Sequence, residues 1–117
     1  MTHGDAECLF CRIAAGEIPS DRVFEDDEIV AFRDIDPQAP THVLVIPRRH
    51  IRDAHSLVDT DVSTLGAMFA AARRIADAEG LDRGYRLVTN VGAEAGQSVF
   101  HLHLHLLGGR PMHWPPG

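Results

Sequence analysis

The sequence predicts an α+β domain in which one long helix and a short N-terminal helix cover an antiparallel sheet of about five strands. Three observations point there. Only one long segment, within residues 59–80, carries a helical period. The remaining apolar stretches are short, rich in β-branched residues, and mostly follow one another without a helix between them. Residues 99–109, VFHLHLHLLGG, alternate polar and apolar side chains at the period of a strand.

Along the chain, CLFCRIAA (8–15) reads as a short helix that breaks at GEIP (16–19). RVFEDDEIVAFRDI (22–35) reads as two strands, with Asp26, Asp27 and Glu28 supplying the turn. DPQAPT (36–41) carries two prolines and is a loop, and HVLVIP (42–47) is a buried strand that Pro47 ends. In the long helix, Val62, Leu65, Met68, Phe69, Ala72, Ile75 and Ala76 recur at three- and four-residue spacing. Asp59 or Thr60 is placed to cap its start, and Gly80 suits a left-handed stop. YRLVTNV (85–91) and residues 99–109 are the closing strands, joined by the glycine-bearing loop GAEAGQS (92–98).

A chain of 117 residues is read as a single domain, 1–117, without repeat, low-complexity tract or linker. The formal charge of −6 argues against a broad nucleic-acid-binding face. No apolar run reaches the roughly 18 residues of a membrane span. MTHGDAECLF has acids and no basic segment, so it does not read as a signal peptide and points to the cytoplasm. In a reducing compartment two cysteines more often bind metal or do redox chemistry than form a structural disulfide.

On a strand, His101, His103 and His105 share one face and Leu102, Leu104 and Leu106 take the other, under the helix. Burying three imidazoles costs free energy unless each is satisfied, so the run calls for a cause. A polar surface strand is the bland reading. His-x-His can also offer two ligands to zinc. Nucleophilic catalysis is the third reading, since neutral imidazole attacks phosphorus near pH 7 without an added base. The preceding loop favours that reading, because Gly92 and Gly96 let backbone approach an anion and Ser98 can donate a hydrogen bond. Strand rise separates His101 from His105 by roughly 13 Å, so the three cannot all touch one phosphorus atom, and His103 is the natural reacting group.

HLHLHLL (101–107) resembles the signature of the histidine-triad family of nucleotide-binding hydrolases. The likeness to its phosphoramidase branch extends over GEIPSDRVFEDDEIVAFRDIDPQAPTHVLVIPRRHI, GYRLVTNVGAEAGQSVFHLHLHLLGG and the tail RPMHWPPG. The resemblance implies that His103 attacks an α-phosphate and forms a transient nucleotidyl-histidine. It implies that His105 hydrogen-bonds the phosphate, that His42 accepts a relayed proton and that Ser98 assists the leaving amine. Gly96 and the Ser98 N–H would hold the phosphate, and Asn90 would steer it. Asp34 would accept both ribose hydroxyls, with Phe10, Ile13, Ile18, Phe32, Ile35 and Leu44 walling a purine slot. Without the resemblance, His42 reads as a polar strand start and the apolar wall as ordinary core. The tail, residues 110–117 with Trp114, would reach across a two-fold homodimer to the partner's site and tune the choice of leaving group.

Cys8 and Cys11 in CLFC have the spacing that lets two thiolates face one tetrahedral ion. The resemblance supplies the other two ligands, His50 from RRHI and His101, for a structural Zn2+ that the chemistry itself does not need. A redox pair or two inert buried thiols are the other readings. His3, His55 and His113 are given no ligand role. The function implied is hydrolysis of the P–N bond in purine nucleoside phosphoramidates. Two alternatives stay open: hydrolysis of dinucleoside polyphosphates or nucleotidyl transfer, and a zinc-containing nucleotide-binding regulator with little turnover.

Overall fold

The structure, a computed structural model, describes residues 7–117; His3 and the rest of the first six lie outside it. The short helix α1 spans Leu9–Ala14, as the sequence predicts, and the Cys8 sulfur caps it by accepting from the Cys11 N–H. Five strands follow: β1 (Arg22–Glu25), β2 (Ile29–Arg33), β3 (Thr41–Pro47), β4 (Tyr85–Val88) and β5 (Leu104–Gly108), with the long helix α2 (Val62–Ala78) between β3 and β4. All pairings are antiparallel, in the order β1-β2-β3-β5-β4. Among the described residues no helix is long and apolar enough to cross a membrane.

The sheet separates two apolar layers by the alternation of its side chains. Ile29, Ala31, Val43, Val45, Leu104 and Leu106 face α2 and pack with Met68, Ala72 and Ile75. Val30, Phe32, Leu44 and Ile46 face the other way and pack with Phe10, Ile13 and both cysteines of the α1 segment. The α2 layer is mainly apolar, with Thr41, Thr64 and the Arg33–Glu79 pair as its polar members, and the histidines and cysteines lie on the α1 side.

Four sequence expectations are corrected here. The closing strand begins at Leu104, not Val99, because the backbone before it is engaged elsewhere. The Leu102 N–H donates to the Ile51 carbonyl at 2.6 Å, and the His101 carbonyl accepts from the ring of His103 at 2.6 Å. The sidedness nevertheless holds, since Leu102, Leu104 and Leu106 all lie in the α2 core. The strand at 85–91 ends at Val88, which pairs with His105 next to the start of β5 and so has no ladder to continue along. Neither Asp59 nor Thr60 caps α2. A 3-10 turn over Asp59–Asp61 precedes the helix, closed by the Asp61 carboxylate, which accepts from the Val58 N–H and pairs with Arg49. Finally, Val62 and Phe69 are exposed, while Thr64 and Ala71 take buried places. Thr64 is accommodated because its hydroxyl donates to Glu28 at 2.8 Å.

Gly80 stops α2 with a φ of +72°, as expected. Gly109 closes β5 with a φ of +90°, and a Cβ there would sit 2.9 Å from the Pro40 side chain. Gly109→Ala therefore meets both backbone strain and a rigid ring, and should lower stability by about 1–3 kcal/mol, read as a reduced urea midpoint.

Candidate functional site

One row of side chains runs across the α1 face of the sheet. Phe32 on β2 pairs with Leu44 on β3, Leu44 with His105 on β5, and His105 with Val88 on β4. His42 lies two residues before Leu44 on the same face, and its Nε2 is 2.9 Å from His105 Nδ1. The register of β3 against β5 thus brings together histidines that are 63 positions apart. His103, just ahead of β5, places its ring 5.0 Å from that of His105, and the edge contact of Phe10 from α1 packs it at 5.1 Å.

Hydrogen-bond donors fix which nitrogens carry protons. The Gln38 N–H donates to His42 Nδ1 at 3.0 Å, so neutral His42 holds its proton on Nε2. That proton points at His105 Nδ1, which must accept, leaving His105 with its proton on Nε2. His103 Nδ1 faces the His101 carbonyl at 2.6 Å and can only donate there, so its Nε2 keeps a lone pair. The site therefore offers one nitrogen nucleophile and one N–H donor side by side.

Charge follows the same arrangement. Burial, more than anything else, lowers the His103 pKa, opposed by the hydrogen bond to the His101 carbonyl and by Asp34. His105 is pushed down to about 4 by burial first, then by His103 and His42, with Asp34 opposing. Both shifts favour the neutral ring at pH 7.

A pocket of 370 Å³ opens over this row. Its lining includes Phe10, Ile13, Phe32, Asp34, Ile35, Leu44, Asn90, Gly96, Ser98, His103 and His105, all singled out in the sequence. His42 stands behind His105 rather than in the lining. Ile18 packs against the cluster that holds Phe10, Ile13, Phe32 and Leu44, just outside the pocket lining. Ile35 lies at the rim with its side chain fully exposed, and so contributes an edge rather than a buried wall. Asp34 directs one oxygen to the Asp36 N–H at 2.8 Å and the other toward His42 Nε2 at 3.5 Å. Gly96 turns the loop with a φ of +100° beside the Asn90 side chain, which a Cβ would touch at 3.4 Å. A larger hollow of 470 Å³ lies elsewhere and contains none of the three triad histidines.

Two residues that sequence reasoning missed hold this site. Gln97 is buried and staples the glycine loop, accepting from the Gly92 N–H and donating to the carbonyls of Arg52 and Val99. Gln38 sets the His42 tautomer through its backbone. Any residue but proline would serve there, so no side-chain signal existed to find it.

Beside the pocket, Cys8, Cys11, His50 and His101 place one ligand atom each within 4.8 Å of one another. His101 Nδ1 lies 3.3 Å from the Cys8 sulfur and 3.4 Å from that of Cys11, while His50 Nδ1 lies 3.3 Å from Cys11. The other nitrogen of His101 donates to the Pro47 carbonyl at 2.8 Å, the outer partner that orients a metal-binding imidazole. Two thiols and two imidazoles at these spacings fit a tetrahedral zinc ion.

A family model, the HIT domain, matches residues 15–112. The chain belongs to the HIT family. It is 48% identical over 111 residues to an uncharacterized HIT-like protein of Synechococcus elongatus, covering 95% of this chain and 97% of that one. A 14 kDa zinc-binding protein of Zea mays is 46% identical over 117 residues, covering 97% and 90% of the two chains. A HIT family hydrolase from Legionella pneumophila superposes with a TM-score of 0.92 at 58% identity, over 94% of this chain and 99% of that one. A HIT family hydrolase from Clostridium thermocellum gives 0.92 at 43% identity, over 94% and 96%. The five-stranded sheet, the long helix and the short N-terminal helix are thus those of the HIT fold.

Two outcomes follow from this geometry. Because His105 titrates at about 4 when folded against an ordinary 6.5, the unfolded chain takes up its proton first. That contribution to stability is complete above about 6.5 and is lost as the pH falls toward 4; His105→Gln should flatten the urea midpoint across that window. Protein purified without a histidine tag should carry about one zinc per chain by elemental analysis, and Cys8→Ser should remove it.

Proposed function

We propose that this HIT protein hydrolyses the P–N bond of purine nucleoside phosphoramidates, with His103 as nucleophile. The observation that carries the reading is the paired tautomer arrangement. A neutral imidazole with its lone pair held on Nε2 stands beside a neutral imidazole with its proton on Nε2, over a pocket large enough for a nucleotide.

In the first step His103 Nε2 forms a bond to the α-phosphorus. The P–N bond breaks, and its electron pair stays with the leaving amine, which takes a proton through the Ser98 hydroxyl. In the second step water bonds to phosphorus, and the P–Nε2 pair returns to His103. The proton lost by water returns to Ser98 and replaces the one its hydroxyl gave to the amine, while His105 and His42 keep one proton each throughout. One water is consumed for each nucleoside monophosphate and amine released. His105 donates to the phosphate, and Gly96 with the Ser98 N–H holds its oxygens where the loop turns. Asp34 accepts the ribose hydroxyls, and the base lies against Phe10, Ile13, Phe32 and Leu44.

A zinc ion held by Cys8, Cys11, His50 and His101 supplies structure beneath the site, and no step passes through it. The working unit in this reading is a homodimer, with tail residues 110–117 of each chain approaching the other chain's site. An unpaired edge at β4, and exposed Val62, Phe69 and Trp114, support that assembly. The exposed Ile35 is consistent with a pocket rim completed by a ligand.

His103→Ala should reduce phosphoramidate turnover on the order of 10³-fold or more while nucleoside monophosphate affinity changes little. A protein that only binds nucleotides would show no turnover to lose. Deleting residues 111–117 should alter the preference among amine leaving groups, measured as kcat/KM ratios on a series of phosphoramidates.

A further inference from the structure

The nucleotide pocket is lined by Gly96, Ser98 and Val99, but not by the residue between the first two. Gln97 turns its side chain inward, where it is only 4% exposed. There the amide meets one donor and two acceptors. Its Oε1 accepts from the Gly92 N–H at 2.8 Å, and its Nε2 donates to the carbonyls of Arg52 at 3.0 Å and Val99 at 3.1 Å. That set fixes the orientation of the amide, since its oxygen can only accept and its nitrogen can only donate. The backbone doubles the first tie, with the Gln97 N–H donating to the Gly92 carbonyl at 3.1 Å.

Two features make this more than a loop staple. The bond from the Gln97 side chain to the Val99 carbonyl closes a ring around Ser98, the residue between them. The bond to the Arg52 carbonyl ties that ring to a segment that is itself fixed. The Ile51 carbonyl accepts from the Leu102 N–H at 2.6 Å, and the Arg52 guanidinium lies 4.5 Å from the centre of the Phe100 ring. Residues 51 and 52 thus grip the approach to His103 at Gln97, Phe100 and Leu102. Ser98 is carried on the first of those grips.

Resting on the phosphoramidase reading, we propose that Gln97 is a positioning residue that sets which amines this protein can expel. As the P–N bond breaks, its electron pair stays on nitrogen and the Ser98 hydroxyl proton bonds to that nitrogen. Water returns a proton to Ser98 in the second step. A basic alkylamine cannot depart as an anion and needs that proton in the transition state. A nitrophenolate departs as the anion and does not. The placement of Ser98 therefore counts for more as the leaving group becomes more basic, and Gln97 acts through that placement. Glutamate cannot replace it. One oxygen would still accept from the Gly92 N–H, but the other would face the carbonyls of Arg52 and Val99, which repel it.

The test compares two substrates built on one nucleoside: a 5′-phosphoramidate of an alkylamine and the 5′-p-nitrophenyl phosphate ester. In the full-length protein, Gln97→Glu should lower kcat/KM on the phosphoramidate by about tenfold or more beyond its effect on the ester. That is part of the roughly 10²–10⁴ that a positioned proton donor supplies. Ser98→Ala should lower the same ratio, and adding Gln97→Glu to it should lower the ratio no further, because the group that Gln97 places is gone. Gln97→Met keeps the size of the side chain without its donors or a charge. It should repeat the fall, and it replaces Gln97→Glu if that variant does not fold. A residue that only supports the fold would cost both substrates equally. An unchanged ratio in a folded variant, or a second fall of the same size in the Ser98→Ala background, overturns the proposal and leaves the phosphoramidase reading standing. Wild-type protein that cleaves the ester but no phosphoramidate overturns both.

Discussion

The 2.6 Å hydrogen bond from His103 Nδ1 to the His101 carbonyl is the contact on which the rest of the site depends. It is short, buried and charge-neutral, and it decides where the reactive lone pair lies. Its acceptor is not free to drift, because the His101 ring is fixed at both nitrogens by the cysteine set and by Pro47. A buried imidazole in an apolar layer is costly unless both nitrogens find partners. Here satisfying one histidine is what orients the next. The same backbone carbonyl that would have joined a strand ladder accepts from His103 instead, and β5 starts at Leu104.

The sheet supplies the second constraint. Register alone sets His105 between Leu44 and Val88 and brings His42 against it, with the tight α2 core on the reverse side fixing that register. Slipping β5 by one residue would put the histidines into the α2 core and the leucines into the pocket. The buried side therefore protects the geometry of the chemical side. The bidentate pair of Arg33 with Glu79, at 3.1 and 2.9 Å, adds a tie from β2 to the end of α2.

Much of this was legible in the residues, and the failures have physical causes. The strand alternation at 101–106 correctly separated histidines from leucines, because sidedness depends only on backbone direction. It misplaced the start of the strand, since whether a backbone group joins a ladder depends on competitors such as Ile51 that are distant in sequence. The periodicity of α2 found the helix but not its burial face: Thr64 is buried through a hydroxyl bond to Glu28, and Phe69 is left outside. His103 could be singled out from strand spacing, and Asp34 and His105 from the family resemblance, whereas Gln38 could not, because only its backbone acts. Gln97 was visible as a glutamine in a glycine loop, but its partner at Arg52 lies 45 positions away and leaves no local trace.

The central claim is that His103 alone presents a nucleophilic nitrogen to phosphorus. Mixing the protein with a nucleoside phosphoramidate, quenching within one turnover at neutral pH and weighing the intact chain tests it most directly. Peptide fragmentation then locates any added group. The account predicts one nucleotidyl group per chain, bonded to His103 and absent when His103 is replaced. Turnover with no adduct, or an adduct on His105 or His42, would contradict it.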